Sequence, residues 1–122
     1  LEALPVIRVP NALAASSAAD QLLRSGAFGL VVLDLKTQAQ MNMAAQSRLA
    51  ALARKYHSAL LCLTRKKAGA PSIGPMVSLH GEGKISRTAF SRFDWEIRIL
   101  KDKQGASGWS HTESCHGTDG LY

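Results

Sequence analysis

Leu22-Leu23-Arg24-Ser25-Gly26-Ala27-Phe28-Gly29-Leu30-Val31-Val32-Leu33-Asp34-Leu35 is the stretch on which the reading of this chain turns. It reads as the end of a helix, a glycine turn and an apolar strand closing on one carboxylate. Gly26 is a natural helix stop, because glycine accepts the left-handed conformation without a Cβ clash. Residues 30–35 are almost continuously apolar, which is the pattern of a parallel strand covered on both faces by helices. An Asp at the end of such a strand can hold a Mg²⁺ ion and its water shell in nucleotide-hydrolysing folds. No G-x-x-x-x-G-K-[ST] run accompanies it, so only half of a nucleotide site is present.

Working outward, the elements follow one grammar for half the chain and another for the rest. Val6-Ile7-Arg8-Val9 is β-branched and ends at Pro10-Asn11, so it reads as a first strand. A helix follows, starting near Asn11 or at the Ser17-x-x-Asp20 capping pattern. Ala15, Ala18, Ala19, Leu22 and Leu23 share one stripe at helical spacing. Asn42 can cap a second helix running to about Tyr56, with Ala45, Leu49, Leu52 and Tyr56 inward. Ser58-Ala59-Leu60-Leu61-Cys62-Leu63-Thr64 is another buried strand. Strand, helix, strand, helix, strand predicts a parallel sheet with right-handed crossovers.

Residues 65–75 then form a loop punctuated by Gly69, Pro71, Gly74 and Pro75. Residues 76–84 can be a strand, and residues 92–101 read clearly as one. There Phe93, Trp95, Ile97 and Ile99 alternate with Arg92, Asp94, Glu96 and Arg98, the pattern of a sheet with one face in the core and one in water. A turn over residues 104–108 leads to a weaker strand over residues 109–115. The fold expected is α/β, a parallel βαβαβ part extended by about three antiparallel strands.

Composition bounds the function. The 122 residues make one domain at most. No apolar run approaches the roughly 18 residues that span a bilayer, and no charged-then-apolar leader is seen, so no membrane role is expected. Two cysteines give no disulfide framework, and a cytoplasmic setting is the default. The chain begins at Leu1 rather than Met, as a piece of a longer protein would, or a tagged or processed chain. Formal charge is +6. Between Leu35 and Gly81 there is no acid, while Lys36, Arg48, Arg54, Lys55, Arg65, Lys66 and Lys67 all occur. Such a sector suits a phosphate backbone or an acidic partner, or is simply a solvated basic face.

Candidate chemistry is sparse. Asp34 has two readings, a metal-water ligand or a carboxylate that holds the next turn. Gly81-Glu82-Gly83-Lys84 fails as a phosphate loop: Ser78 stands where the first glycine is needed, Ile85 where the Mg²⁺-binding hydroxyl is needed, and no helix follows. It reads as a turn or bulge. His111, Cys115 and His116 cluster near the end, but a zinc site needs three or four ligands at defined spacing and no second cluster supports one, so no metal is assigned. Cys62 lies mid-strand, where a thiol packs rather than reacts. Lys101 and Lys103 close the strongest strand two residues apart and can share one side.

These elements, in this order, resemble the second half of the bacterial RecA ATPase core. Residues 22–27 followed by Leu30-Val31-Val32-Leu33-Asp34 look like that family's helix, R-S-G-A turn and Walker B strand. Gln46-Ser47-Arg48-Leu49-Ala50 and Leu60-Leu61-Cys62-Leu63-Thr64 look like the next helix and strand. Arg98-Ile99-Leu100-Lys101-Asp102-Lys103 is similar to the family's V-V-K-N-K segment. The last third, Trp95-Glu96-Ile97-Arg98-Ile99-Leu100-Lys101-Asp102-Lys103 and then Trp109-x-x-x-Glu113-x-Cys115-x-Gly117-x-Asp119-Gly120-Leu121, looks most like the ImuA group. These are RecA-like accessory proteins of SOS-induced, error-prone translesion synthesis.

The resemblance implies the C-terminal part of a RecA-like core over residues 1–122, without its Walker A half. It implies that Asp34 is the Walker B carboxylate, and that Lys101 and Lys103 match lysines reaching the ATP of a neighbouring subunit. The long DNA-holding loops of RecA are replaced by short ones, residues 36–41 and the basic residues 65–75, and Arg65-Lys66 stands at the family's N-Q pair. Strand exchange is therefore not expected. Arg65, Lys66 and Lys67 are the expected contact for DNA or a partner. No cofactor is expected on this chain alone; ATP and Mg²⁺ belong to a longer protein with a Walker A segment. Implied partners are RecA and an ImuB-like Y-family polymerase homologue, in a nucleoid-associated bacterial cytoplasmic setting. Self-association through an exposed sheet edge is also expected. Two other functions fit the same residues: a DNA-dependent ATPase or recombinase-type RecA homologue in DNA repair, and a stand-alone structural or interaction module.

Overall fold

The computed structural model describes residues 4–37 and 40–117. Asp119, Gly120 and Leu121 of the terminal phrase lie outside the described residues, as do two residues of the short 36–41 connection. The elements run α1 (Ala12–Ser25), β1 (Leu30–Lys36), α2 (Met43–Lys55), β2 (Ala59–Thr64), β3 (Leu79–Ala89), β4 (Arg92–Asp102) and β5 (Ser110–His116). They group into two compact units. One comprises Leu1–Lys67 with Ile73–Met76, the other Ala68–Ser72 with Val77–Tyr122.

In the first unit both helices start where a side chain can satisfy an orphan N–H. Asn11 Oδ1 accepts from Ala14 N at 2.9 Å, and Asn42 Oδ1 accepts from Ala45 N at 2.8 Å. The start of α1 is thus at Asn11, not at Ser17. Gly26, at φ 66°, ends α1 in the left-handed conformation, and its N–H donates to Leu23 O. Strands β1 and β2 pair in parallel, Val31 opposite Leu60 and Leu33 opposite Cys62. Ala15, Ala19, Leu23, Val31, Leu33, Leu35 and Leu49 make the core. Leu23 and Leu49 are fully buried, each worth roughly 1.5–3 kcal/mol of apolar burial.

Three expectations change here. Residues 6–9 form no strand, so the parallel sheet has two strands, not three, among the described residues. Val6, Ile7 and Val9 lie exposed: β-branching favours an extended backbone, but a strand also needs a neighbour to pair with. Among the described residues strand β1 is covered on one face only. Val31, Leu33 and Leu35 are buried, whereas Leu30, Val32, Leu61 and Leu63 are exposed on the other face. A continuous apolar run records that both faces are apolar, not that the chain covers both. The antiparallel strands form a sheet of their own rather than an extension of the parallel one.

That second sheet has the order β3-β4-β5. A two-residue turn, Phe90-Ser91, joins β3 to β4, and the Arg87 guanidinium lies over the Phe90 and Phe93 rings, 5.5 and 6.0 Å from their centroids. Gly81 to Lys84 lies within β3, next to a register irregularity at His80/Gly81. The alternation in β4 sorts its side chains as expected, but the apolar side is not a core. Ile99 is buried, while Trp95 (52% exposed), Ile97 and Ile85 stand open on one face, with Trp109 (49%) beside them. The opposite face sets Glu82 across from Arg98 and Lys84 across from Glu96.

Candidate functional site

The parallel register carries the ends of β1 and β2 to one place, and ligands of open α/β sheets bind outside such carboxyl ends. Lys36 pairs with Thr64 after an irregularity at Asp34/Lys36, and Arg65 N donates to Lys36 O at 2.9 Å. Lys36 itself takes φ 50°, unusual for a non-glycine residue, and this turns the chain out of the strand. The Asp34 carboxylate steadies that turn: its Oδ1 accepts from Lys36 N at 3.3 Å. Of the two readings open for Asp34, the turn-holding contact is present. Asp34 is exposed on the uncovered face, with Leu63 as its register partner.

Arg65, Lys66 and Lys67 follow directly and are exposed. The structure therefore gathers Lys36 and Arg65 by a backbone hydrogen bond, with Lys66 and Lys67 next in chain and Asp34 two residues before Lys36. Four basic residues thus share this end of the sheet with one carboxylate. Lys36 was legible as part of the basic sector, but only the parallel register brings it to Arg65. The charge is concentrated too: residues 1–67 hold nine of the 15 Lys and Arg and three of the nine acids, so the whole +6 excess falls there.

Other features define what the site can do. An open cleft of about 470 Å³ is lined by Asn11, Ala12, Leu13, Thr37 and Gln40. None of these described lining residues ionises in the working pH range. Among the described residues no three of His, Cys, Asp and Glu stand together as a metal group. Burial pushes the Cys62 thiol up, holding it in the protonated, unreactive form.

Lys101 and Lys103 belong to the other unit. Lys101 is half-buried near the end of β4, across from His80, and Lys103 is exposed just beyond, its N–H donating to Ser78 O at 2.9 Å. Asp102 between them accepts from Gln104 N at 2.9 Å, which shapes the turn after β4.

Gln46 entered the sequence reading only as the start of the 46–50 phrase, with no structural role given it, yet among the described residues of the first unit it is the buried polar one. Its Nε2 donates to Met41 O at 2.7 Å and to Ile73 O at 3.0 Å, tying residues 73–76 to α2. Gly74 leaves room for it, since a Cβ there would fall 2.1 Å from Gln46 Oε1. The signal available was a polar residue beside the Ala45–Leu49 inward stripe of an alanine-rich helix. Among the described residues no helix is long and apolar enough to cross a membrane. No protein-family model matches the chain, and no curated protein matches it.

Proposed function

We propose that this chain is a RecA-like accessory module of error-prone translesion DNA synthesis, of the ImuA type, which acts by binding DNA and protein partners. One observation carries the reading: four basic residues, Lys36, Arg65, Lys66 and Lys67, brought to the carboxyl end of a parallel sheet whose one acid there, Asp34, is engaged in its own turn. The element order α1-β1-α2-β2, followed by three antiparallel strands, supports it as well. A phosphate backbone fits such a cluster, because long-range attraction needs charge rather than a cradle. Hydrolysis would need the phosphate-binding loop that this sequence lacks. By the resemblance, the protein partners are RecA and an ImuB-like polymerase homologue in the bacterial cytoplasm.

The test is charge reversal of Arg65, Lys66 and Lys67 together, with DNA binding followed by fluorescence anisotropy over a salt series. The expected outcome is weaker binding and a shallower dependence of log K on log salt, by up to about one unit per lost phosphate contact. Asp34→Asn, which removes the cluster's one acid, should leave binding no weaker. Unchanged DNA and partner binding in the triple variant would remove the loop from the function.

A further inference from the structure

Among the described residues strand β5 is an edge strand, and its seven residues are all exposed. Its sequence, Ser110-His111-Thr112-Glu113-Ser114-Cys115-His116, contains no Pro, Lys or Arg, and its pairing with β4 runs without a bulge. Edges are normally protected by such devices, because a bare row of N–H and C=O groups invites another strand. We infer that β5 pairs antiparallel with β5 of a second copy of this chain, about a two-fold axis through Thr112.

The backbone fixes which residues can meet. Trp109 O accepts from Ile99 N, and Gly117 N donates to Ser91 O. Odd-numbered residues of β5 therefore turn their backbone groups toward β4. In an antiparallel ladder these groups alternate in direction, so Ser110, Thr112, Ser114 and His116 turn theirs outward. Only these even-numbered residues can bond a second β5, and even must pair with even. Registers that set an even residue against an odd one are excluded.

Charge chooses among the registers that remain. An axis through Glu113 gives the longest overlap but sets Glu113 against Glu113 in a closely spaced pair, where like charges repel. An axis through His111 sets histidine against itself and shortens the ladder. An axis through Ser114 sets Glu113 against Cys115 and leaves His111 without an acid. With the axis through Thr112, Thr112 meets Thr112, Ser110 meets Ser114 twice, and His111 of each copy meets Glu113 of the other. His111 and Glu113 already lie together within one strand, Nε2 to Oε1 at 3.3 Å. The pairing therefore brings two such His–Glu contacts into one cluster. It also joins the two three-stranded sheets into one of six strands.

Sedimentation equilibrium of the whole chain should show a dimer, and a monomer at every concentration would overturn the inference. Register is read by disulfide trapping in a Cys115→Ser background. Thr112→Cys should cross-link rapidly across the axis, since opposed Cα atoms at about 5.5 Å lie within disulfide reach. Glu113→Cys should not, and preferential cross-linking there would overturn the register. Thr112→Pro removes an N–H that β4 does not use, so the chain stays folded by circular dichroism while the dimer is lost. A dimer that survives this change would refute the pairing. His111→Glu should weaken dimerisation on the order of tenfold, two cross-strand pairs being lost at once. His111→Glu with Glu113→His should restore it, and failure of that rescue would count against the charge pairing.

Discussion

Asp20 sits on α1 between two guanidinium groups. Its Oδ1 accepts from Arg24 Nε at 2.6 Å, one helical turn on, and its Oδ2 accepts from Arg48 Nε of α2. In the sequence it stood as the acid of the Ser17-x-x-Asp20 capping pattern; in the fold it is a mid-helix tie between helices. The Arg48 hydrogen bond, aided by Arg24 and opposed by partial desolvation, lowers its carboxyl below the ordinary 3.8. A lowered folded-state value means stability that is fully present above 3.8 and is lost as pH falls through the folded value. Asp20→Asn should therefore flatten the acid limb of the unfolding curve. The loss at neutral pH should be modest, about 0.5–1 kcal/mol, because both arginines are more than half exposed. Urea unfolding of both proteins at neutral pH and at about pH 3 checks this.

Among the elements, α1 carries the sharpest stability prediction. Leu23 is fully buried against β1 and α2, so Leu23→Ala should cost about 2–5 kcal/mol by lost transfer energy and a residual cavity. Denaturant midpoints followed by far-UV circular dichroism measure it. The helices and their ends were legible because their signals are local: Asn11, Gly26 and Asn42 each act within a few residues of themselves. Residues 6–9 misled because β-branched residues report only a preference for extended backbone, and pairing is a property of two segments. In β4 the alternation of Phe93, Trp95, Ile97 and Ile99 told which side chains share a face. It carried no information on what lies against that face. The candidate site divides in the same way: Arg65-Lys66-Lys67 is contiguous and could be read, whereas the addition of Lys36 needed the β1–β2 register.

For the molecule as a whole, uneven charge and uncovered apolar faces set the solution behaviour. Both tryptophans, Trp95 and Trp109, are about half exposed. Native fluorescence should accordingly be red-shifted toward that of the unfolded chain and strongly quenched by acrylamide. A blue-shifted, poorly quenched spectrum would show that something covers that face in solution. The six excess positive charges lie in residues 1–67, while residues 68–122 balance, so salt should act mainly on ligands that dock through the first unit.

The sheet order has a kinetic consequence. Among the described residues each strand pairs with its nearest predecessor or successor along the chain: β1 with β2 across one helix, β3 with β4 across a two-residue turn, and β4 with β5 across a short loop. Chain segments that must find one another are thus never far apart in sequence, and the loop-closure entropy of each pairing stays small. During synthesis, β1, α2 and β2 can close on α1 before β3 has left the ribosome, and the meander can then zip strand by strand in the order in which it is made.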